Sequence, residues 1–257
     1  MTKSCVGCRD GIALPFAFKM AFQPIVDMTA GRVWGYEALV RGADGESAYS
    51  VLSQVSDEIR YKFDQAARVM AIETAGRLFD RTDLKLSINF MPNAVYEPMA
   101  CIQKSLAAAQ RANFPHRNLM FEFTENEKMA DVAHVQRIIE AYRKLGFWTA
   151  LDDFGAGHAG LGLLTQLQTD LIKIDMELLR DIHLSRAKQA VVAGIVGIAR
   201  TLDIMVLAEG VETDDELRVL RAAGISLFQG YHFAKPALMS LPEVALLASP
   251  VTVRSAG

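Results

Sequence analysis

The 257-residue chain is 51% hydrophobic and 22% charged, which supports a sizeable core and excludes a disordered chain. Its 27 Lys and Arg stand against 30 Asp and Glu, so the net charge of −3 offers no net basic field for wrapping polymeric nucleic acid. The longest apolar run, Ala190 to Ala199, is about half a membrane span, and three cysteines are too few for a disulfide scaffold. With no signal-type apolar segment before Pro15, a cytoplasmic location without membrane insertion is expected.

Period-two apolar alternation predicts strands at Lys19–Val26, Arg32–Val40, Leu84–Phe90, Leu119–Glu125, Phe147–Asp153, Leu171–Asp175, Ile204–Glu209 and Ser226–Phe233. Helical periodicity is clearest over Ala94–Arg111, Lys128–Leu145, Met176–Leu202 and Thr213–Ala223. Strands alternating with helices argue for a parallel α/β sheet, and eight strands in a chain of this length fit a (β/α)8 barrel. The link Asp27-Met28-Thr29-Ala30-Gly31 is too short for a parallel crossover. The expected fold is therefore a TIM-like barrel with one antiparallel strand near the N-terminus. Ala190–Ala199 reads as a buried helix, and Trp34, Trp148, Phe154 and Tyr231 as core candidates by residue type.

The acids fall at one end of these strands. Glu37 lies late in the second strand, Asn89 at the end of the third, and Glu122 and Glu125 in the fourth. Asp152 and Asp153 end the fifth, Lys173 and Asp175 alternate with Ile172 and Ile174, and Glu209 and Glu212 follow the seventh. An isolated acid at a strand end is ordinarily a solvated turn or a helix cap. Several strands placing an acid or amide at the same end is a different pattern, because the C-terminal rim is where barrels build active sites. Leu86, Ile88 and Phe90 facing the helices would turn Ser87 and Asn89 inward, and the same alternation turns Lys173 and Asp175 inward.

Converging carboxylates repel one another unless a counter-charge joins them. Within the acid-bearing segments 37–41, 86–90, 121–125, 150–155, 172–175 and 207–212, Lys173 and Arg41 are the only basic residues. A divalent cation, or better two, would supply the missing charge, and all-oxygen ligands select hard ions such as Mg²⁺ or Mn²⁺. Two such ions on carboxylates are a recurring device for attacking phosphate esters. Cys5-Val6-Gly7-Cys8 has no second pair to complete a zinc site, and none of the histidines shows ligand spacing.

At these residues the sequence resembles the EAL-domain family of cyclic di-GMP phosphodiesterases. The resemblance runs from about Phe22 to Pro236 through Gln23-Pro24-Ile25-Val26-Asp27, Glu37-Ala38-Leu39, Ile88-Asn89 and Glu122-Phe123-Thr124-Glu125. It continues through Asp152-Asp153-Phe154-Gly155-Ala156-Gly157, Lys173-Ile174-Asp175, Ala208-Glu209-Gly210-Val211-Glu212 and Gln229-Gly230-Tyr231. The resemblance implies an EAL phosphodiesterase domain over residues 16–257, after a short extension over 1–15, that hydrolyses cyclic di-GMP to linear pGpG with two divalent cations.

Carried over residue by residue, Glu37, Asn89, Glu122 and Asp152 would hold one ion, and Asp152, Asp153 and Glu209 the second. Lys173 would steady the attacking water or the developing charge, with Glu209 able to act through water. Gln23, Leu39, Arg41, Asp175, Glu212 and Gln229 would contact substrate, Arg41 through phosphate. Glu125 would anchor the loop Asp153–Gly160 so that both aspartates face the ions. The chain departs from the family pattern at Gly42, Met91, Asn126 and His158-Ala159-Gly160, none of them an implied ligand. Homodimerisation is common in the family and expected here. No cyclase, receiver or photosensor pattern is present, so control is expected from oligomerisation, the extension or a separate regulatory partner. The alternative function is a weak or inactive cyclic di-GMP receptor signalling through protein contacts.

Overall fold

Asp27 turns the chain. Its Oδ1 accepts hydrogen bonds from the backbone N–H groups of Thr29 and Ala30 at 2.8 and 2.9 Å, and Gly31 closes the turn at φ +64°. Strand β1 (Phe18–Asp27) therefore folds back on β2 (Arg32–Gly42), antiparallel, with Phe18 opposite Gly42. The computed structural model describes residues 14–92, 95, 97–124, 132–156 and 160–244. Cys5, Cys8, Glu125, Asn126 and His158 lie outside them.

From β2 onward the strands pair in parallel through β3 (Lys85–Asn89), β4 (Leu119–Thr124), β5 (Trp148–Phe154), β6 (Leu171–Ile174), β7 (Met205–Ala208) and β8 (Leu227–Phe228). Strand β8 pairs antiparallel with β1, which closes an eight-stranded barrel whose one reversed strand is β1. A short β9 (Ala237–Leu238) adds to β1 beside Ala21 and Phe22. The TIM-like barrel with an antiparallel first strand is thus the observed fold.

The helices of the described residues are α1 (Ala48–Leu52), α2 (Asp57–Leu78), α3 (Pro98–Cys101), α4 (Gln103–Arg111), α5 (Val132–Lys144), α6 (Gly160–Leu164), α7 (Met176–Leu179), α8 (Arg186–Thr201) and α9 (Asp214–Ala222). Two expected helices are broken. The first divides at Ile102 into α3 and α4; the second divides between α7 and α8, where Asp181 takes a left-handed conformation at φ +55°. Ser185 then restarts the helix as a cap, its side chain accepting from Lys188 N–H. The long α2 has no counterpart among the expected helices, because its buried face carries Asp64, Gln65, Arg68 and Thr74. Those polar residues interrupt the apolar period that would have announced it.

Helix α8 is one-sided rather than wholly buried: Val192, Ile195, Val196 and Ala199 face the core, while Val191 and Ile198 are exposed. No helix among the described residues is long and apolar enough to cross a membrane.

Two apolar groups position the site. The larger fills the space between the strands and the surrounding helices. The smaller joins Ile25, Met120, Ala150, Leu171, Leu207 and Leu227, with Trp34, Trp148 and Met205 packed against it. On β4 to β8 the residue two positions beyond each member is Glu122, Asp152, Lys173, Glu209 and Gln229. On the reversed β1 the corresponding step runs backward, from Ile25 to Gln23. Period-two alternation keeps each pair on one face, so the barrel interior has an apolar floor and a polar layer above it.

Candidate active site

Lys173 stands at the centre of the polar layer with only 1% of its side chain exposed. Its Nζ lies 2.7 Å from Glu209, 2.8 Å from Glu122, 3.1 Å from Asp152 and 3.4 Å from Glu37. Four carboxylates from different parts of the barrel thus share one ammonium.

The remaining contacts fix the acids individually. Asn89 Nδ2 donates to Glu37 Oε1 at 2.9 Å, and Gln229 Nε2 donates to Glu37 Oε2 at 2.7 Å. Ser87 Oγ donates to Glu122 Oε1. Gln229 also reaches Gln23 Oε1 at 3.1 Å, and Gln23 donates to Ala234 O at 3.3 Å. Gly230 makes the Gln229 placement feasible: a Cβ there would lie 2.1 Å from the carbonyl oxygen of Val211. Ser87 was legible only as an inward-facing position; its pairing with Glu122 requires the β3–β4 register.

Asp153 departs from strand geometry. Its φ is +54°, and the β5–β6 register shifts between Leu151 and Phe154. An irregularity of this kind re-aims side chains. It lets consecutive aspartates join one cluster, with Asp153 N–H donating to Asp152 Oδ1 at 2.9 Å. Aspartate tolerates the left-handed region better than most residues.

Electrostatics follow from the crowding. Burial, then the neighbouring Glu37 and Asp152, drive Glu122 up to about 8 against the opposing pull of Lys173. Burial and the Asp152 charge hold Glu209 well above the ordinary carboxylate range. Burial, with Asp152 and Asp175, raises Asp153 to about 6. For Lys173 burial favours the neutral amine, but Asp152, Glu122, Glu209 and Glu37 overcome it and hold the ammonium well above the ordinary lysine value. One ammonium does not neutralise this many acids, so the site favours either protons or added cations.

The donor set fits hard divalent ions. Glu37, Glu122 and Asp152 form one group and Asp152, Asp153 and Glu209 another, the oxygens of each lying within 4.8 Å of one another. Asp152 belongs to both. Gln229 Oε1 is buried on the cleft wall without a hydrogen-bond partner among the described residues.

A cleft of about 270 Å³ opens above the acids, with Gln23, Glu37, Asp153, Asp175, Glu209, Glu212 and Gln229 on its walls. Met176 and Tyr231 stand at its edge, Tyr231 57% exposed rather than in the core. Asp175 also caps α7, accepting from Glu177 N–H at 2.7 Å, and Glu212 pairs with Arg180 at 2.8 Å. Leu39 instead lines a neighbouring, largely apolar cavity of about 610 Å³ that Asn89 and Thr124 border. Arg41 donates to Val40 O at 2.7 Å and lines neither space. Met176 carries no motif signal and was not among the expected contacts.

The EAL domain family model matches residues 16–236. The chain is 34% identical over 226 residues to the blue light- and temperature-regulated antirepressor BluF of Escherichia coli K12, matching 88% of this chain and 56% of that protein. It is 30% identical over 239 residues to cyclic di-GMP phosphodiesterase PA2567 of Pseudomonas aeruginosa, matching 91% of this chain and 40% of that one. The chain therefore spans about half or less of these relatives' lengths. Among solved structures, a standalone versatile EAL protein from Vibrio cholerae O395 in its c-di-GMP-bound form is 52% identical, with a TM-score of 0.87 and coverage of 90% of this chain and 97% of that one. The calcium and cy-diGMP complex of Klebsiella pneumoniae BlrP1 is 36% identical, with a TM-score of 0.84 and coverage of 92% and 60%. A family model spanning most of the barrel, together with the near full-length likeness to the Vibrio protein, establishes that the chain belongs to the EAL domain family.

Proposed function

We propose that the chain hydrolyses cyclic di-GMP to linear pGpG with the help of two divalent cations, Mg²⁺ or Mn²⁺. The observation that carries this reading is the pair of oxygen-ligand groups sharing Asp152, held above an apolar floor with a single ammonium between them. The relative named a cyclic di-GMP phosphodiesterase and the cyclic di-GMP complexes of two structural neighbours support the substrate.

In this reading Glu37, Asn89, Glu122 and Asp152 hold one ion, and Asp152, Asp153 and Glu209 hold the other. When bound, the ions supply the positive charge that makes a water acidic and stabilises charge developing on the phosphate. Lys173 donates to Glu122 and Glu209, which keeps those carboxylates oriented; its ammonium would steady the attacking water or the charge developing on the phosphate. Glu209 would also act through a water at the second group. Gln229 orients Glu37 through its amide, and Gln23 braces Gln229. Asp175 and Glu212 on the cleft wall offer acceptors to the N–H edge of a guanine, and exposed Tyr231 offers a stacking face. Leu39 would meet substrate from the adjoining apolar cavity, and Arg41 would swing from Val40 O to take a phosphate. Glu125 is assigned the anchoring of the loop after β5.

Water adds to phosphorus as one ring P–O bond breaks, and the departing 3′ oxygen takes a proton. Incubation in heavy-oxygen water tests this: one labelled oxygen should appear on the new terminal phosphate of pGpG. Unlabelled product, or none, contradicts hydrolysis at this site. The proposal extends to residues 16–257 as the catalytic domain, to a cytoplasmic homodimer, for which exposed Val191 and Ile198 on α8 offer apolar surface, and to a separate regulatory partner.

A second reading is favoured by the 34% identity to a protein named an antirepressor. In it the chain binds cyclic di-GMP and acts through protein contacts without turnover. Tight nucleotide binding with intact dinucleotide recovered after long incubation with Mn²⁺ would select it.

A further inference from the structure

Helix α2 buries two charges that the reaction does not use. Asp64 and Arg68 lie 2.6 Å apart with side chains 1% and 0% exposed, and Arg68 Nη1 reaches Tyr142 OH of α5 at 3.4 Å. A buried ion pair costs desolvation, and apolar residues of similar volume commonly hold a core as well or better. The pair therefore calls for a task besides stability.

Its geometry supplies one. Asp64 divides its two oxygens: Oδ2 accepts from Arg68, and Oδ1 accepts from the backbone N–H of Met91 at 3.0 Å. Met91 lies two residues past Asn89, where the β3 ladder has ended. The last pairing of β3 with β4 is Asn89 with Glu122, and Phe90 N–H makes one more bond to Glu122 O at 2.9 Å. Beyond that, Asp64 provides the acceptor that no strand offers. On the other side of the same segment, Asn89 donates to Glu37 at 2.9 Å. Between the two, the Phe90 ring packs against Phe123 and Tyr142, each at 5.8 Å.

We infer that Asp64, held in place by Arg68, is a positioning residue that fixes the end of β3 and so presents the Asn89 amide to the acid cluster. The inference rests on the reading of Asn89 as a metal ligand. A 22-residue helix outside the barrel thereby sets the geometry of a ligand inside it. Supports of this kind typically change metal affinity by about 10–100-fold when removed.

Two double variants of the full chain separate this task from stability. D64L/R68M and D64N/R68M both remove the buried charges, but only asparagine retains a side-chain oxygen for Met91 N–H. Calorimetric titration with Mn²⁺ should show affinity about tenfold weaker in D64L/R68M and within about threefold of the unaltered protein in D64N/R68M. Equal affinities in the two variants, both kept or both lost, overturn the inference while leaving the metal reading intact. An unaltered protein that binds no Mn²⁺ removes the metal reading and the inference with it. Should D64L/R68M fail to fold, amide exchange in the unaltered protein decides: Met91 should be protected at least as well as Phe90, and exchange at an exposed-loop rate overturns the inference.

Discussion

Lys173 Nζ and Glu209 Oε1 stand 2.7 Å apart, tying β6 to the residue that follows β7. The same ammonium touches Glu122, Asp152 and Glu37, so the contact is one spoke of a hub rather than an isolated salt bridge. A hub with more acid than base is stable only with protons or cations added.

Glu37→Ala removes a carboxylate oriented by both Asn89 and Gln229. Turnover of cyclic di-GMP should fall by at least about 100-fold, the upper end of what loss of a mere supporting contact costs. Circular dichroism should show the barrel intact. An unchanged rate would remove Glu37 from the ligand set.

Lys173→Met leaves the buried acids without their internal cation. In EDTA at pH 8 the unfolding free energy should drop by about 3–5 kcal/mol, as when one partner of a buried pair is removed. Mn²⁺ should restore a large part of it. Urea titration with and without Mn²⁺ reads both, and a metal-free variant as stable as the parent would contradict the hub.

The metal-free chain should lose stability as pH rises. Glu122 titrates at about 8 and Asp153 at about 6 when folded, both above the ordinary carboxylate values near about 4 of an unfolded chain. Between those limits the folded state binds more protons than the unfolded state, so stability is present at low pH and is lost as pH climbs through 6 and then 8. Glu122→Gln should flatten the upper part of this slope. Mn²⁺ binding near neutral pH should also release protons, measurable by calorimetry in buffers of different ionisation enthalpy. A slope that E122Q leaves unaltered would contradict the assignment.

Gly230→Ala drives a Cβ to within 2.1 Å of a backbone oxygen, and the backbone has no rotamer by which to yield. A cost of about 1–3 kcal/mol is expected, with Gln229 displaced from Glu37 and turnover reduced. Thermal unfolding and rate measured together check this, and a variant unchanged in both would show that the loop accommodates the methyl group.

Much of the barrel was legible because period-two alternation and the acids shared the same strands: Leu171, Lys173 and Asp175 announce both a strand and a rim. The short turn at Asp27–Gly31 announced the reversed pairing. Helix α2 was not legible, since Asp64 and Arg68 occupy positions where the helical period asks for apolar residues. Strand β8 was expected to reach Phe233 but pairs only at Leu227 and Phe228, because Gly230 turns the chain against Val211. That Asp152 and Asp153 serve the ions together was expected; the left-handed Asp153 and the register shift that bring them into one cluster were not, since composition does not encode them. Leu39 and Arg41 were implied by the family resemblance rather than by the alternation of the strands; Leu39 lines the adjoining apolar cavity and Arg41 donates to Val40 O.

Hydrolysis itself is read by anion-exchange chromatography of purified protein incubated with cyclic di-GMP in Mg²⁺, Mn²⁺ or EDTA. pGpG should accumulate in at least one metal and not in EDTA. Intact cyclic di-GMP in every condition, with nucleotide and metal both bound, would contradict hydrolysis and leave a receptor in its place.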